Sequence, residues 1–418
     1  MNGDSTALAG LTKRLVEHPT PRFFMSMHRR FKDSHLKDLV ATNMDDQRRF
    51  TVLGKTVYNF GSDSFLGLDR DVRVQKSIID GIRRWGTHNG ASRAFYSVDA
   101  NLVAEEKLAQ WLDVEATLIF PSVTLANMGL LPGLAYRGDL LAVDRLAHSS
   151  VHEGAKIAHD NGADLEIFDP CTPEVLEGVL KKYPGRSAIV AVDGVYSMLG
   201  STPPLRELDA VARANGGVMS IADAHGTGIF GDHGRGTASR ELGNLRDVIM
   251  VGSLSKAFSC MGSFVTCTEE LKLLLKMASP TYVFGGPVAP GYLEGVCTVC
   301  DILMSDEYDV IIGNLQQRIR RLVDGLRELD LVVLGNDSPI VSVLVKDRSR
   351  AMQAGKWLFD RGFYVQSVTY PAVPINESVL RIQINAIHPM EAVDGLLNAF
   401  TDLRKEIDLP KASTMVAP

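Results

Sequence analysis

The sequence predicts an α/β fold, with a mostly parallel central sheet in a large unit and a small α+β unit at the C-terminal end. Two observations lead there. Between Ala116 and Val251 short apolar runs alternate with helix-like stretches, the pattern of parallel strands joined by crossover helices and covered on both faces. After Ile311 the rhythm changes to one long amphipathic helix, then further strands and two more helices. A chain of 418 residues is long enough to divide in this way. The expected segments are an N-terminal arm over 1–58, a large unit over 59–302, a small unit over 303–410 and a disordered tail over 411–418.

Taken in order, the first 50 or so residues mix Lys13, Arg14, His18, Arg22 and Arg29 with scattered aromatics, which suits a helical arm packed on the body or on a second subunit. Val52 to Asn59 reads as a strand pair turning at Gly54-Lys55, and Asn59 to Leu68 as a turn-rich stretch with two apolar anchors. From Val72 to Trp85 the apolar positions Val74, Ile78, Ile82 and Trp85 recur at helical spacing, and Gly86 to Arg93 is small and polar enough for a loop. Leu102 to Leu112 forms an amphipathic helix with Glu105 and Glu106 on its outer side. Strands follow at 116–120, 140–143, 165–168, 188–192, 218–222 and 248–251, each closing on a polar turn. A helix opening near Leu125, after Pro121-Ser122, offers backbone amides to an anion such as phosphate. Cys297-Thr-Val-Cys300 has redox or zinc spacing, yet it lies in an apolar stretch without a second pair and reads as buried helix. A helix over 311–329, strands at 331–334, 340–345 and 379–384, and helices near 350–361 and 389–406 complete the chain.

The bulk numbers narrow the function classes. Hydrophobic content of 45% and charged content of 22% describe an ordinary globular protein. A net charge of −6 gives no electrostatic case for nucleic acid or an anionic membrane as partner. Five cysteines in so long a chain argue against a disulfide framework and fit a reducing cytoplasm. The first residues lack the basic start and apolar core of a signal peptide, and no long uncharged apolar run suggests a membrane span.

In an open parallel sheet the ligand crevice lies beyond the carboxyl ends of the strands. That rule places Ser122, His148, Ser197, His225 and Lys256 at one edge, because each follows an apolar run. The stretch Asp247 to Lys256 delivers a lone lysine among small hydroxyl residues. A desolvated amine has a lowered pKa and attacks carbonyls, so Lys256 is a candidate Schiff-base nucleophile; the alternative is a solvated lysine after a buried strand. His148 and His152 are spaced like metal ligands on a helix, but no HExxH pattern or third ligand accompanies them, and no metal site is expected.

The ordered motifs are Asn59-Phe…Phe65-Leu-Gly-Leu68, Gly90-Ala-Ser-Arg93, Ala126-Asn127, Asp144…His148-Ser149 and Asp193-Gly-Val-Tyr-Ser-Met198. Pro204-Leu205, Asp223-Ala-His-Gly-Thr-Gly228, Gly234-Arg-Gly236, Ser255-Lys-Ala257 and Leu380-Arg381 before His388 continue the series. In this order and spacing the chain resembles the α-oxoamine synthases, pyridoxal-phosphate enzymes of fold type I. These acyltransferases join an amino acid to an acyl thioester with loss of carbon dioxide. The resemblance runs from Asn59 to the end of the small unit. It implies pyridoxal 5′-phosphate held covalently by Lys256, which also moves protons at the α-carbon. It further implies that His148 stacks on the cofactor ring, that His225 and Ser197 bond its phenolic oxygen and nearby atoms, and that Val123, Thr124 and Ser253 hold its phosphate. Arg381 matches the arginine that grips the amino acid's carboxylate. A homodimer with sites at the subunit interface, and coenzyme A or carrier-protein thioesters as donors, also follow by resemblance, with glycine, alanine or serine as the expected amino acids.

The chain departs from the family pattern at several positions. Ala222 stands where an aspartate usually pairs with the pyridine nitrogen, and Asp223 is one residue off, on the opposite face of a regular strand. Either a bulge brings Asp223 round, or another group serves the nitrogen, or the electron sink is weak. Ala222 therefore keeps open a reaction without thioester, or a non-catalytic partner subunit. Asp63 replaces an asparagine on the substrate side, Phe65 a tyrosine, Asn101 a histidine and Val123 a glycine. Gly285-Gly286 replaces hydroxyl residues that in the family reach the neighbouring subunit's cofactor, and Ala372 replaces a threonine.

Overall fold

The computed structural model describes residues 6–32, 34–35, 39–335 and 337–414. Its centre is a seven-stranded sheet of β1 (Ala116–Phe120), β2 (Leu140–Asp144), β3 (Asp164–Phe168), β4 (Ala188–Asp193), β5 (Gly217–Asp223), β6 (Ile249–Ser253) and β7 (Ser263–Cys267). The spatial order is β1-β7-β6-β5-β4-β2-β3. β7 runs antiparallel to β1 and β6, and the others are parallel. From β2 the chain steps outward to β3 and then crosses to β4 on the other side of β2. Such a reversal opens a crevice at the carboxyl ends of β2 and β4.

One face of the sheet, with Val192 and Ile221, packs into the main core beside Leu205 and Leu208. The other face, with Val143, Ala191 and Ala222, packs under helices α1 (Val123–Leu134) and α2 (Ser149–Asp160). A Cβ on Gly154 would lie 2.4 Å from the Asn127 carbonyl oxygen, so α1 and α2 touch at backbone distance there. That approach lets Asn127 Nδ2 donate to Ser150 Oγ at 2.9 Å and aligns the two helix starts along one edge of the sheet.

The small unit has an antiparallel sheet of Val333–Leu334, Ile340–Lys346, Ser378–Gln383 and Gln366–Val368, with helices Arg348–Asp360 and Met390–Glu406. The arm has two helices, Ala7–Glu17 and Pro19–Arg30, and then three strands, Ala41–Met44, Arg49–Val52 and Lys55–Asn59. The hairpin turns at Leu53-Gly54 (φ 53° and 73°), one residue before the expected turn, because a primed turn matches the strand twist. Ala41–Met44 escaped the sequence reading because all four residues are exposed, which leaves no apolar alternation to detect. Lys55–Asn59 also pairs in parallel with Phe363–Tyr364, a strand too short to announce itself. Residues 411–414, expected as disordered tail, are tied down. Lys411 bridges to Leu331, and Ser413 N–H donates to Asp330 at 2.8 Å. Residues 415–418 of that tail lie outside the described residues.

Cys297 and Cys300 sit on the helix Pro290–Leu303 as free thiols. Burial pushes Cys297 up to about 11 and Cys300 well above its ordinary value, so both stay protonated packing groups. Among the described residues no helix is long and apolar enough to cross a membrane.

One expectation fails. Glu105 is not on the outer side of its helix, Asp99–Leu112; it is fully buried, while Glu106 is exposed. β1 and the helix Glu269–Ala278 cover that side. Glu105 binds Arg93 Nη1 at 2.6 Å and Lys272 Nζ at 3.1 Å, and accepts the Ile119 N–H at 3.0 Å. A charge in this position is tolerated because it is paired. Removing one partner of such a pair costs about 3–5 kcal/mol. Glu105→Ala is therefore expected to lower the unfolding free energy in urea by that amount, whereas exposed Glu106→Ala should stay within about 0.5 kcal/mol of the parent.

Candidate active site

The edge predicted from the strand ends is where the polar side chains gather. Lys256 follows β6, half-buried, and its Nζ lies 2.7 Å from His225 Nε2, just past the end of β5. Desolvation lowers the Lys256 amine to about 8, against smaller opposing pulls from Asp63, Asp193 and Asp223. His225 is buried and held well below its ordinary value, first by burial and then by Lys256 and Arg381. The pair is thus a neutral imidazole beside an amine that is easily deprotonated, the state a nucleophile or base needs.

His148 is the N-cap of α2. Its Nδ1 accepts the Ser150 N–H at 3.2 Å and lies 2.8 Å from Ser150 Oγ. An acceptor at Nδ1 puts the proton of the neutral ring on Nε2. Burial and the nearby Lys256 keep the ring below its ordinary pKa. The backbone N–H of His148 donates to Asp193 Oδ1 at 3.0 Å, a bond that spans the crevice between β2 and β4. His152 turns instead toward the Arg145 carbonyl, at 3.3 Å.

Ser122 caps α1 by accepting the Leu125 N–H at 3.2 Å. Among the described residues no acceptor meets the N–H groups of Val123 and Thr124, so the helix start stays open to an anion. Ser253 is fully buried; its Oγ accepts the Ser255 N–H at 3.2 Å and lies 3.1 Å from Ser255 Oγ. The exposed hydroxyl of the two is that of Ser255. The signal for it is the Ser-Leu-Ser-Lys run itself, in which the expected motif includes Ser255 but the phosphate role falls to Ser253 alone.

Arg381, buried on the strand Ser378–Gln383, reaches the same edge from the small unit. Its Nε donates to the Ser197 carbonyl at 2.7 Å and its Nη1 to Gln366 Oε1 at 2.7 Å. Nη2 makes no hydrogen bond among the described residues and lies 3.9 Å from Asp63 Oδ1. Asp63 in turn accepts from Gln383 Nε2. Ser197 thus contributes its backbone oxygen to the arginine. His388 does not enter the site. Its Nδ1 accepts the Asn385 N–H at 3.0 Å, and its Nε2 donates to the Asn59 carbonyl at 3.1 Å, pinning the Asn59–Leu68 turn. Burial drives His388 down to about 3, so it holds these bonds uncharged. The sequence marks Asp193 only as the start of the Asp193–Met198 motif and does not mark Gln366 or Gln383, because partners so far apart in the chain leave no local pattern.

β5 carries no bulge at the Ala222 position. Asp193 pairs with Ala222, Ala222 with Val251, and Asp223 with Gly252 in unbroken register. Asp223 points to the far face, where its Oδ2 accepts the Thr237 N–H at 2.5 Å. Of the three routes left open for the pyridine nitrogen, rescue by a backbone shift at Asp223 is therefore excluded.

The aminotransferase class I and II family matches residues 55–400 of this chain. The 8-amino-7-oxononanoate synthase of Thermoanaerobacter pseudethanolicus is 30% identical over 366 residues, 86% of this chain and 91% of its own length. The serine palmitoyltransferase of Bacteriovorax stolpii is 28% identical over 86% of this chain and 85% of its own. Among solved structures, the serine palmitoyltransferase of Sphingomonas wittichii superposes with a TM-score of 0.88 at 25% identity, covering 95% of this chain and all of that one. Another serine palmitoyltransferase, solved with pyridoxal phosphate, superposes with a TM-score of 0.85 at 25% identity over 92% of this chain and 97% of its own. With likeness of this extent in both sequence and fold, the chain belongs to the aminotransferase class I and II family and, within it, to the α-oxoamine synthases, which are pyridoxal-phosphate-dependent acyltransferases.

Proposed function

We propose that this chain condenses a small amino acid with an acyl thioester of coenzyme A or a carrier protein. A carbon–carbon bond forms between the α-carbon and the acyl carbon, the thiol leaves, and the amino acid's carboxyl departs as carbon dioxide. The observation that carries the reading is one edge on which Lys256, His225, His148 and Arg381 meet.

The residues present fit pyridoxal phosphate. The open N–H groups of Val123 and Thr124 and the Ser253–Ser255 hydroxyls form a phosphate seat, His148 covers one face of the ring site, and Lys256 supplies the amine. His225 and Ser197 stand as partners for the phenolic oxygen. Bound there, the cofactor supplies the electron sink for chemistry at the α-carbon. Lys256 then takes and returns the α-proton, its depressed pKa letting it act near neutrality. Arg381 orients the amino acid through Nη2 of its fork, which makes no hydrogen bond among the described residues and lies 3.9 Å from Asp63 Oδ1.

Asp63 makes the carboxylate site less positive than an asparagine would, which tunes amino-acid choice. Two exposed aromatics, Phe95 in the turn after Ser92 and Phe284 at the end of the short helix Pro280–Phe284, stand on segments joined by the Ser92 Oγ to Val283 O bond of 2.5 Å, an apolar patch suited to a second subunit. A cytoplasmic homodimer is the assembly we assign, the free cysteines fitting a reducing compartment.

Three outcomes are expected. Glycine, alanine or serine labelled in the carboxyl group should release labelled carbon dioxide only when acyl-coenzyme A is present, and Lys256→Ala should abolish that release. Release without thioester would instead support a reaction on the amino acid alone. A lowered pKa means more neutral amine at a given pH. Covalent uptake of pyridoxal phosphate by the apoprotein, followed by stopped-flow absorbance, should therefore rise with pH and level off just above pH 8. An ordinary lysine would keep rising to about pH 10. Like charges about 4 Å apart repel by about 1 kcal/mol in water-like surroundings, so Asp63→Asn should lower the amino acid's KM roughly fivefold with little change in kcat.

A further inference from the structure

We propose that Asp193, at the end of β4, is the acid that pairs with the cofactor's pyridine nitrogen in this chain, one strand away from the position that Ala222 leaves empty. The inference rests on the cofactor reading above but not on the acyl transfer.

Four observations carry it. First, in a parallel sheet, residues in register on neighbouring strands point to the same face, and Asp193 is in register with Ala222. Second, that face is the one under α1 and α2, on which the apolar cluster includes Ala191 and Ala222. Of the two lateral neighbours of Ala222 there, Val251 is apolar and Asp193 is an acid. Third, Asp193 is bonded to the backbone of His148, the residue assigned to the ring face, and so is fixed beside the ring site. Only its Oδ1 is engaged among the described residues, which leaves a second carboxylate oxygen for another donor. Fourth, Asp193 is buried at 4% exposure and no lysine or arginine forms an ion pair with it among the described residues. A buried carboxylate without a cation is costly, and a protonated pyridine is a cation of the right shape to relieve it.

Asp223 does not compete. It caps the Thr237–Leu242 helix from the opposite face of the sheet. Ala222 itself keeps the space between Asp193 and the ring site clear, since a longer side chain there would intervene.

The test uses pyridoxal phosphate labelled with ¹⁵N in the ring, bound to the full-length protein, without amino acid or thioester. Nitrogen NMR separates protonated from neutral pyridine directly. The parent protein should show the protonated form and Asp193→Asn the neutral one, while Asp193→Asn combined with Ala222→Asp should restore protonation. Asparagine keeps an oxygen for the His148 N–H, so the fold is expected to hold, as a thermal melt will check. Should Asp193→Asn lose the cofactor altogether, equilibrium dialysis decides: recovery in the double variant supports the assignment, and loss that persists there overturns it. A neutral ring nitrogen in the parent protein, or a protonated one in Asp193→Asn, also overturns it. Because no acyl transfer is measured, a failed condensation and a failed assignment give different results.

Discussion

The parallel register of β2, β4, β5 and β6 is the constraint on which the site depends. Parallel strands end on the same side, so His148, Asp193, His225 and Lys256, spread over 109 positions of sequence, arrive at one edge. The crossing between β2 and β4 opens the crevice, and the Asp193–His148 bond spans it. Desolvation follows from the same arrangement: an edge covered by α1, α2 and the small unit strips water from an amine and two imidazoles together. That shared loss of water lowers Lys256, His148 and His225 alike.

Much of this was legible in the sequence. Apolar runs announced all of the parallel strands, and the rule that ligands sit beyond strand ends selected Lys256, His148 and His225 before any geometry was known. Val72–Trp85 emerged with the expected bounds because its apolar positions repeat at helical spacing without interruption. What stayed hidden was pairing across long separations. Glu105 looked like a surface charge because its partners Arg93 and Lys272 lie on other segments, 12 and 167 positions away. Arg381 was visible as a motif, but its clamp by the Ser197 carbonyl was not, since a backbone acceptor has no residue signature. Ala222 was recognised as a gap, yet only the register could show which acid stands next to it.

The two substitutions nearest the chemistry have opposite electrostatic characters. Against the expected family pattern, Ala222 lacks a carboxylate near the end of β5, while Asp63 adds one beside Arg381. The site's acids are thus redistributed within the crevice. Asp63 bonds Gln383 on the strand that also holds Arg381, so the added charge belongs to the small unit's contact with the site. Positions 63 and 222 can vary separately, because one is tied to the small unit's sheet and the other lies on the central sheet.

The strand Lys55–Asn59 completes its sheet with Phe363–Tyr364, and Asn59 is pinned by His388. During synthesis the N-terminal hairpin emerges early but has no docking edge until the last quarter of the chain has been made. The arm must therefore remain undocked while the central sheet assembles, which is a cost of high contact order. Assembly of the Arg381 side of the site is accordingly a late event on the ribosome, and chains truncated before residue 363 would contain Lys256 but not Arg381.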